Sequence, residues 1–112
     1  MIVLLIRTRV PHATVVVVSH NTREELRRCL ESLPGCSVVV FDNHSSDGSV
    51  AMAISAFPGV EVMESETNLG YGAAANRAIQ FCSSEYIVLS NGDVIFAPDA
   101  VRLTCLDRRS RR

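Results

Sequence analysis

The sequence predicts an α/β fold, a parallel sheet with helices on both faces. Three observations predict it. Residues 13–18, 38–41 and 85–89 are nearly continuous apolar runs rich in β-branched side chains, as strands buried on both faces read. Segments with apolar residues at helical spacing separate them. Each run then ends in a cluster of polar turn and cap residues. Strands alternating with helices make right-handed βαβ units, and those build a parallel sheet.

Taken in order, residues 1–13 form an extension or an extra strand. Residues 2–6 are apolar, but Arg7, Arg9, Pro11 and His12 break the pattern before the core begins. The strand at 13–18 ends in Ser19-His20-Asn21-Thr22, where Asn21 or Thr22 can cap the next helix. Glu24 and Glu25 fall in its first turn, as the helix dipole prefers. Leu26, Cys29, Leu30 and Leu33 form its apolar stripe, and Pro34-Gly35 stops it. The strand at 38–41 leads into Asp42-Asn43-His44-Ser45-Ser46-Asp47-Gly48-Ser49, a polar turn followed by a helix to about Phe57. Pro58-Gly59 ends that helix. Residues 60–64 alternate as a strand. After a polar loop at 65–69, the stretch from Gly70 to Ile79 leads into a helix running to about Cys82. The strand at 85–89 ends in Ser90-Asn91-Gly92-Asp93. Residues 94–96 continue it briefly, and Pro98-Asp99 opens a last helix.

Composition narrows the classes. A chain of 112 residues is one domain at most, and 47% hydrophobic residues make it globular. A net charge of −1 gives no electrostatic case for nucleic acid. All eleven basic residues are arginine, and five lie at 102–112, most simply a solvated basic tail. Cys29, Cys36, Cys82 and Cys105 show neither a CxxC spacing nor a nearby histidine set, so reduced thiols and a cytoplasmic location are expected. The apolar start at 1–6 is too short to span a bilayer and lacks the marks of a signal peptide.

The polar strand ends are where chemistry is expected. In an open parallel sheet, ligands bind beyond the carboxyl ends of the strands. There the first core strand offers Ser19, His20 and Asn21, and the second offers Asp42, Asn43 and Asp47. The loop after the third offers Asn68 and Gly70, and the fourth offers Asn91 and Asp93. Such a set supplies acceptors for a base and ribose, and room for a diphosphate. Asp42 would face the crevice as an acceptor, although Asp47 or Ser46 read alone is simply a helix cap. His20 would stack on a base or serve as an ordinary loop residue.

The ordered set resembles the N-terminal half of glycosyltransferase family 2, enzymes of the GT-A fold, and most resembles its rhamnosyltransferase-like branch. The pieces are Val18-Ser19-His20-Asn21, the stripe from Leu26 to Leu33, Phe41 to Ser49, Asn68-Leu69-Gly70-Tyr71 through Asn76, and Asn91-Gly92-Asp93. The resemblance implies a Rossmann-like half-domain over 14–104 that binds a nucleoside-diphosphate sugar, UDP- or dTDP-linked. Ser19, His20, Asn21, Asp42 and Asn43 would contact the nucleotide, with Asp47 supporting the turn or the ribose. Asn68, Gly70, Asn76 and Asn91 would line the donor pocket. Asp93 matches the last carboxylate of the family's D-x-D motif, so it would hold Mg or Mn. A glycan or lipid-linked acceptor is implied, with peripheral membrane association of a full-length enzyme.

The match has departures. Asn91 stands where the motif's first aspartate belongs, and Gly92 replaces a common proline. After Asp93 the carboxylates are Asp99 and Asp107, and neither reads as the family's general base. The chain as it stands is therefore expected to transfer no sugar. Residues 105–112 match nothing in the family. Two alternatives compete: a non-catalytic nucleotide-binding remnant, and an NAD- or FAD-binding domain suggested by Gly70-x-Gly72-x-x-Ala75. That fingerprint belongs directly after a first strand, and here it follows the third.

Overall fold

The computed structural model describes residues 2–5 and 10–101, with side chains from 13 to 100. Five strands and four helices follow in order: β1 (Ile2–Leu5), β2 (Val10–Ser19), α1 (Arg23–Glu31), β3 (Ser37–Asp42), α2 (Ser49–Ala56), β4 (Glu61–Glu64), α3 (Tyr71–Ile79), β5 (Ser84–Asn91) and α4 (Pro98–Val101). The sheet order is β1-β5-β2-β3-β4. β2, β3, β4 and β5 run parallel, and β1 lies antiparallel along the outer edge of β5.

The apolar runs become central strands because both of their faces are covered. Val15, Val17, Val38, Val40 and Val88 face α1 and α2, where Leu26, Cys29, Leu30, Met52 and Ala53 close one core. Val16, Val18, Val39, Phe41, Ile87 and Leu89 face α3, which presents Ala74, Ala75 and Ala78. The alternation along each strand sends successive valines to opposite layers. Small alanines bring α3 close to the sheet, which makes packing the role of Ala74 and Ala75.

Several boundaries differ from expectation. β2 starts at Val10 and runs through Pro11 and His12 rather than beginning after them. Its register against β5 shifts between Val10 and Ala13, and such an irregularity is where a strand tolerates a residue without an N–H. β5 extends past Leu89 to Asn91 because Ser90 and Asn91 stay paired with Val17 and Val18 of β2. α3 ends at Ile79, short of Cys82, and residues 94–96 form no strand. Cys29 and Cys82 are free thiols, but Cys36 is disulfide-bonded, against the expectation of reduced cysteines. The basic tail lies outside the described residues.

The parallel register sets the site. Ser19 pairs with Asp42, and Val18 pairs with Asn91, so β2, β3 and β5 end side by side.

Candidate functional site

A cleft of about 350 Å³ opens at these strand ends. One wall comes from the end of β2 and the turn after it, with Val18, His20 and Thr22. A second comes from Asn43 and the turn before α3, with Asn68, Gly70 and Tyr71. The third is Asn91-Gly92-Asp93 at the end of β5. Six of the residues expected from sequence therefore meet here: His20, Asn43, Asn68, Gly70, Asn91 and Asp93.

Ser19, Asn21, Asp42, Asp47 and Asn76 are not part of the lining. Most of them hold the turns that shape it. The Ser19 hydroxyl is buried and lies 3.0 Å from the Thr22 hydroxyl. Asn21, in a left-handed conformation at φ 51°, accepts the Ser46 N–H and donates its own N–H to the Ser45 hydroxyl, both at 2.8 Å. The turn after β2 is thereby bound to the turn after β3. Asp47 joins the same two turns: Oδ2 accepts the Arg23 N–H at 3.0 Å, and Oδ1 accepts the Ser49 N–H and hydroxyl. One carboxylate thus serves the first N–H groups of both α1 and α2. Neither Asn21 nor Thr22 caps α1 with its own side chain. Asn76 lies exposed on α3.

Asp47 is held below the ordinary carboxylate range. Partial burial alone would raise its pKa, but hydrogen bonds from the Ser49 hydroxyl and from the Arg23 and Ser49 N–H groups together outweigh burial.

Asp42 differs from these framework residues. It is 2% exposed. Its Oδ2 accepts the Ser45 N–H at 2.8 Å, while its Oδ1 is buried without a partner. A buried carboxylate oxygen left unpaired is costly. Such an orphan acceptor, one residue before Asn43 in the cleft wall, calls for a donor.

His20 Nδ1 lies 2.8 Å from the Asn43 carbonyl oxygen. A carbonyl only accepts, so Nδ1 carries the proton. Nε2 then accepts, 3.4 Å from the Asn21 side-chain nitrogen.

Gly92 is fixed by its surroundings. Its N–H donates to the Val18 carbonyl at 3.0 Å, and a Cβ there would come within 3.0 Å of Thr22 Oγ1 and 3.2 Å of Ser19 Oγ. The Gly-for-Pro departure thus has a steric and a hydrogen-bonding cause. Gly72, by contrast, is exposed and a Cβ on it would meet nothing.

Among the described residues no group of three or more His, Cys, Asp or Glu side chains could hold a metal ion. Among the described residues, Asp93 is the one carboxylate lining the cleft. This donor set fits a cation held mainly by a ligand's phosphates with one protein carboxylate, as Mg often is, and does not fit a preformed cage.

Thr22, Tyr71 and Val18 also line the cleft, where sequence reasoning had given them no ligand role. Thr22 reads as a cap because it precedes a helix, and only the position of Gly92 shows where its hydroxyl goes.

Three kinds of similarity bear on this site. The family model described as "Glycosyl transferase family 2" matches residues 14–104. N-acetylglucosaminyl-diphospho-decaprenol L-rhamnosyltransferase of Mycobacterium tuberculosis is 31% identical over 113 residues, covering 87% of this chain and 36% of the relative. Succinoglycan biosynthesis protein ExoO of Rhizobium meliloti is 30% identical over 100 residues, covering 84% of this chain and 29% of the relative. The chain thus spans about a third of the length of these relatives. S. aureus TarS 1–349 superimposes with a TM-score of 0.74 at 21% identity, covering 89% of this chain and 31% of that one. Its complex with UDP-GlcNAc gives a TM-score of 0.67 at 24% identity, over 73% of this chain and 26% of the other. At these identities the likeness shows a shared GT-A-like α/β fold.

Proposed function

The chain belongs to glycosyltransferase family 2, and we propose that its cleft binds the nucleoside diphosphate of a UDP- or dTDP-sugar for transfer to a glycan or lipid-linked acceptor. The observation that carries this reading is the convergence of the polar ends of β2, β3 and β5 with the turn before α3 at one cleft. Its size, about 350 Å³, falls within the range of small-molecule sites. The unpartnered Oδ1 of Asp42 supports it, because the ring N–H of a pyrimidine would satisfy that acceptor. His20 and Tyr71 offer ring surfaces to base or sugar, and Asn68 and Asn91 offer amides. Ser19, Asn21 and Asp47 serve as the frame that holds these groups.

Asp93, with Asn91 beside it, would hold Mg or Mn against the diphosphate. When bound, that cation supplies charge neutralisation for the departing nucleoside diphosphate.

The unit proposed to bind the donor is the half-domain at 14–104. The name of the M. tuberculosis relative specifies rhamnose transfer to a lipid-linked sugar, and TarS has been solved with UDP and with UDP-GlcNAc. The solved complexes support a nucleotide-sugar donor, and the name of the relative supports a lipid-linked acceptor. Peripheral membrane association of the full-length enzyme belongs to the same proposal. Among the described residues no helix is long and apolar enough to cross a membrane. A cytoplasmic location is proposed on the free thiols of Cys29 and Cys82, and the disulfide at Cys36 speaks against it.

Calorimetry with UDP and dTDP, with and without Mn or Mg, tests the reading. Binding is expected to tighten with metal. Asp93→Ala should remove the metal effect, and Asp42→Ala should weaken binding even without metal. Binding of NAD in place of either pyrimidine nucleotide would overturn the proposal.

A further inference from the structure

Asn43 makes more connections than any other residue of the cleft. It is 3% exposed. Its N–H donates to the Ser19 carbonyl at 2.8 Å, continuing the ladder between β2 and β3. Its carbonyl accepts the His20 ring N–H at 2.8 Å. Its side-chain amide spans the gap to the third wall: Oδ1 accepts the Leu69 N–H at 2.7 Å, and Nδ2 donates to the Gly70 carbonyl at 3.2 Å.

The segment so gripped is otherwise restrained by Leu69, which packs against the core under α3, and by the Gly70 carbonyl, which also accepts the Ala74 N–H at 3.2 Å. Asn68 Oδ1 accepts the Gly70 N–H at 2.9 Å, which closes the turn on itself. Gly70 sits at φ 81° and ψ 165°, a backbone region that side chains other than glycine's hardly enter. Asn68 and Gly70 are exposed, and Leu69 is half-buried. Among the described residues, Asn43 is the sheet side chain whose hydrogen bonds hold residues 68–70.

We propose that Asn43 is a positioning residue: its side-chain amide latches the Leu69 N–H and the Gly70 carbonyl to the end of β3 and so fixes Asn68 and Tyr71 as the wall that meets the donor. The family pattern places an asparagine at this position as one more polar group in a nucleotide site. Here both ends of its amide are already engaged by the main chain. It acts on the ligand through the turn, not by touching it. The inference rests on the nucleotide reading given above.

The test combines amide hydrogen exchange, UDP calorimetry and thermal melts on the whole chain. Wild type is expected to protect the Leu69 N–H. Asn43→Ala should release it and lower UDP affinity about tenfold, the scale of one or two lost hydrogen bonds. Should Asn43→Ala fail to fold, Asn43→Asp serves. It keeps the acceptor for Leu69 but sets an oxygen against the Gly70 carbonyl, so an intermediate loss of affinity is expected. Tyr71→Ala provides the discriminating cycle. If Asn43 acts through the turn, its substitution should cost much less affinity in the Tyr71→Ala background. Fully additive losses would mean that Asn43 touches the ligand itself, and would overturn the positioning role. Unchanged UDP affinity with a released Leu69 N–H would overturn it as well. A wild-type chain that protects Leu69 but binds no pyrimidine nucleotide would sink the nucleotide reading, and the role with it.

Discussion

Asp47 illustrates how a single side chain can frame a site without entering it. Its carboxylate takes N–H groups at the starts of α1 and α2, which lie 26 positions apart in sequence when counted from Arg23 to Ser49. Replacing a helix-capping carboxylate with alanine costs about 0.5–2 kcal/mol. With two helices served, Asp47→Ala is expected toward the upper end, measured by urea denaturation at pH 7. The pH dependence follows from its lowered pKa. At a pH near the ordinary value of 3.8, the unfolded chain binds the proton and the folded chain does not. The contribution of Asp47 is therefore complete above that value and is lost as pH falls through the folded one. Asp47→Asn should flatten this part of the acid limb, and a variant that tracks wild type below pH 4 would contradict the assignment. Gly92 makes a second residue-scale case. Gly92→Ala should destabilise by roughly 1–3 kcal/mol, the usual scale of overpacking. Because Thr22 Oγ1 is the nearest atom in its way, combining it with Thr22→Ala should cost less than the two single changes summed. Only the cap on α2 was legible in the sequence. Asp47 reads as a local cap, and nothing local reveals that Arg23 is its second partner. Thr22 and Gly92 are 70 positions apart and meet only because β2 and β5 are neighbours.

Elements tell a different story, because their signals are local. The valine runs of β2 and β3 identified themselves, since a strand covered on both faces must be apolar at every position. The stripe of α1 did so too, through Leu26, Cys29 and Leu30 at helical spacing, all buried as that spacing requires. Where a neighbouring strand decides the outcome, the local signal failed. Pro11 argues against a strand, yet β2 continues through it at the irregularity against β5. The turn before α3 joins both kinds of information. The sequence Asn68-Leu69-Gly70 announces a turn through its glycine, but the amide of Asn43 that grips it comes from another strand. The conformation of Gly70 makes a testable demand. A side chain at φ 81° and ψ 165° is strained by roughly 1–3 kcal/mol. A Cβ there would meet no neighbour, so Gly70→Ala tests the backbone alone. The substitution should loosen this turn while leaving the cores on both sheet faces intact. Loss of exchange protection confined to the turn is the expected result. Uniform loss across β2 and β3 would show the turn to be part of the main cooperative unit.

At the scale of the whole molecule, one sheet separates two cores of unequal depth. To one core α1 and α2 bring Leu26, Leu30 and Met52, and to the other α3 brings Ala74, Ala75 and Ala78. The two free thiols report on these two sides. Cys29 is fully buried beneath α1, and burial, aided by the negative charge of Asp93, raises its pKa from the ordinary 9.0 to about 12. Cys82 is half-buried just past α3, and burial followed by the charge of Glu61 raises its pKa as well. Thiolate is the reactive form, so both should be slow, but their routes to solvent differ. Cys82 needs only the end of α3 to fray, whereas Cys29 requires α1 to leave the sheet, an opening close to global unfolding. Alkylation at neutral pH, followed by peptide mapping, should label Cys82 well ahead of Cys29. The rate at Cys29 should rise with denaturant as steeply as global unfolding does. The raised pKa adds an alkaline limb. Above about pH 9 the unfolded chain loses this proton while the folded chain keeps it, so stability falls as pH rises towards 12. Cys29→Ala leaves no thiol to ionise and should make that limb shallower, even though the smaller side chain lowers stability at neutral pH. Equal labelling of Cys29 and Cys82 in the native protein would show that α1 opens independently, and that the two turns bridged by Asp47 do not move as one unit.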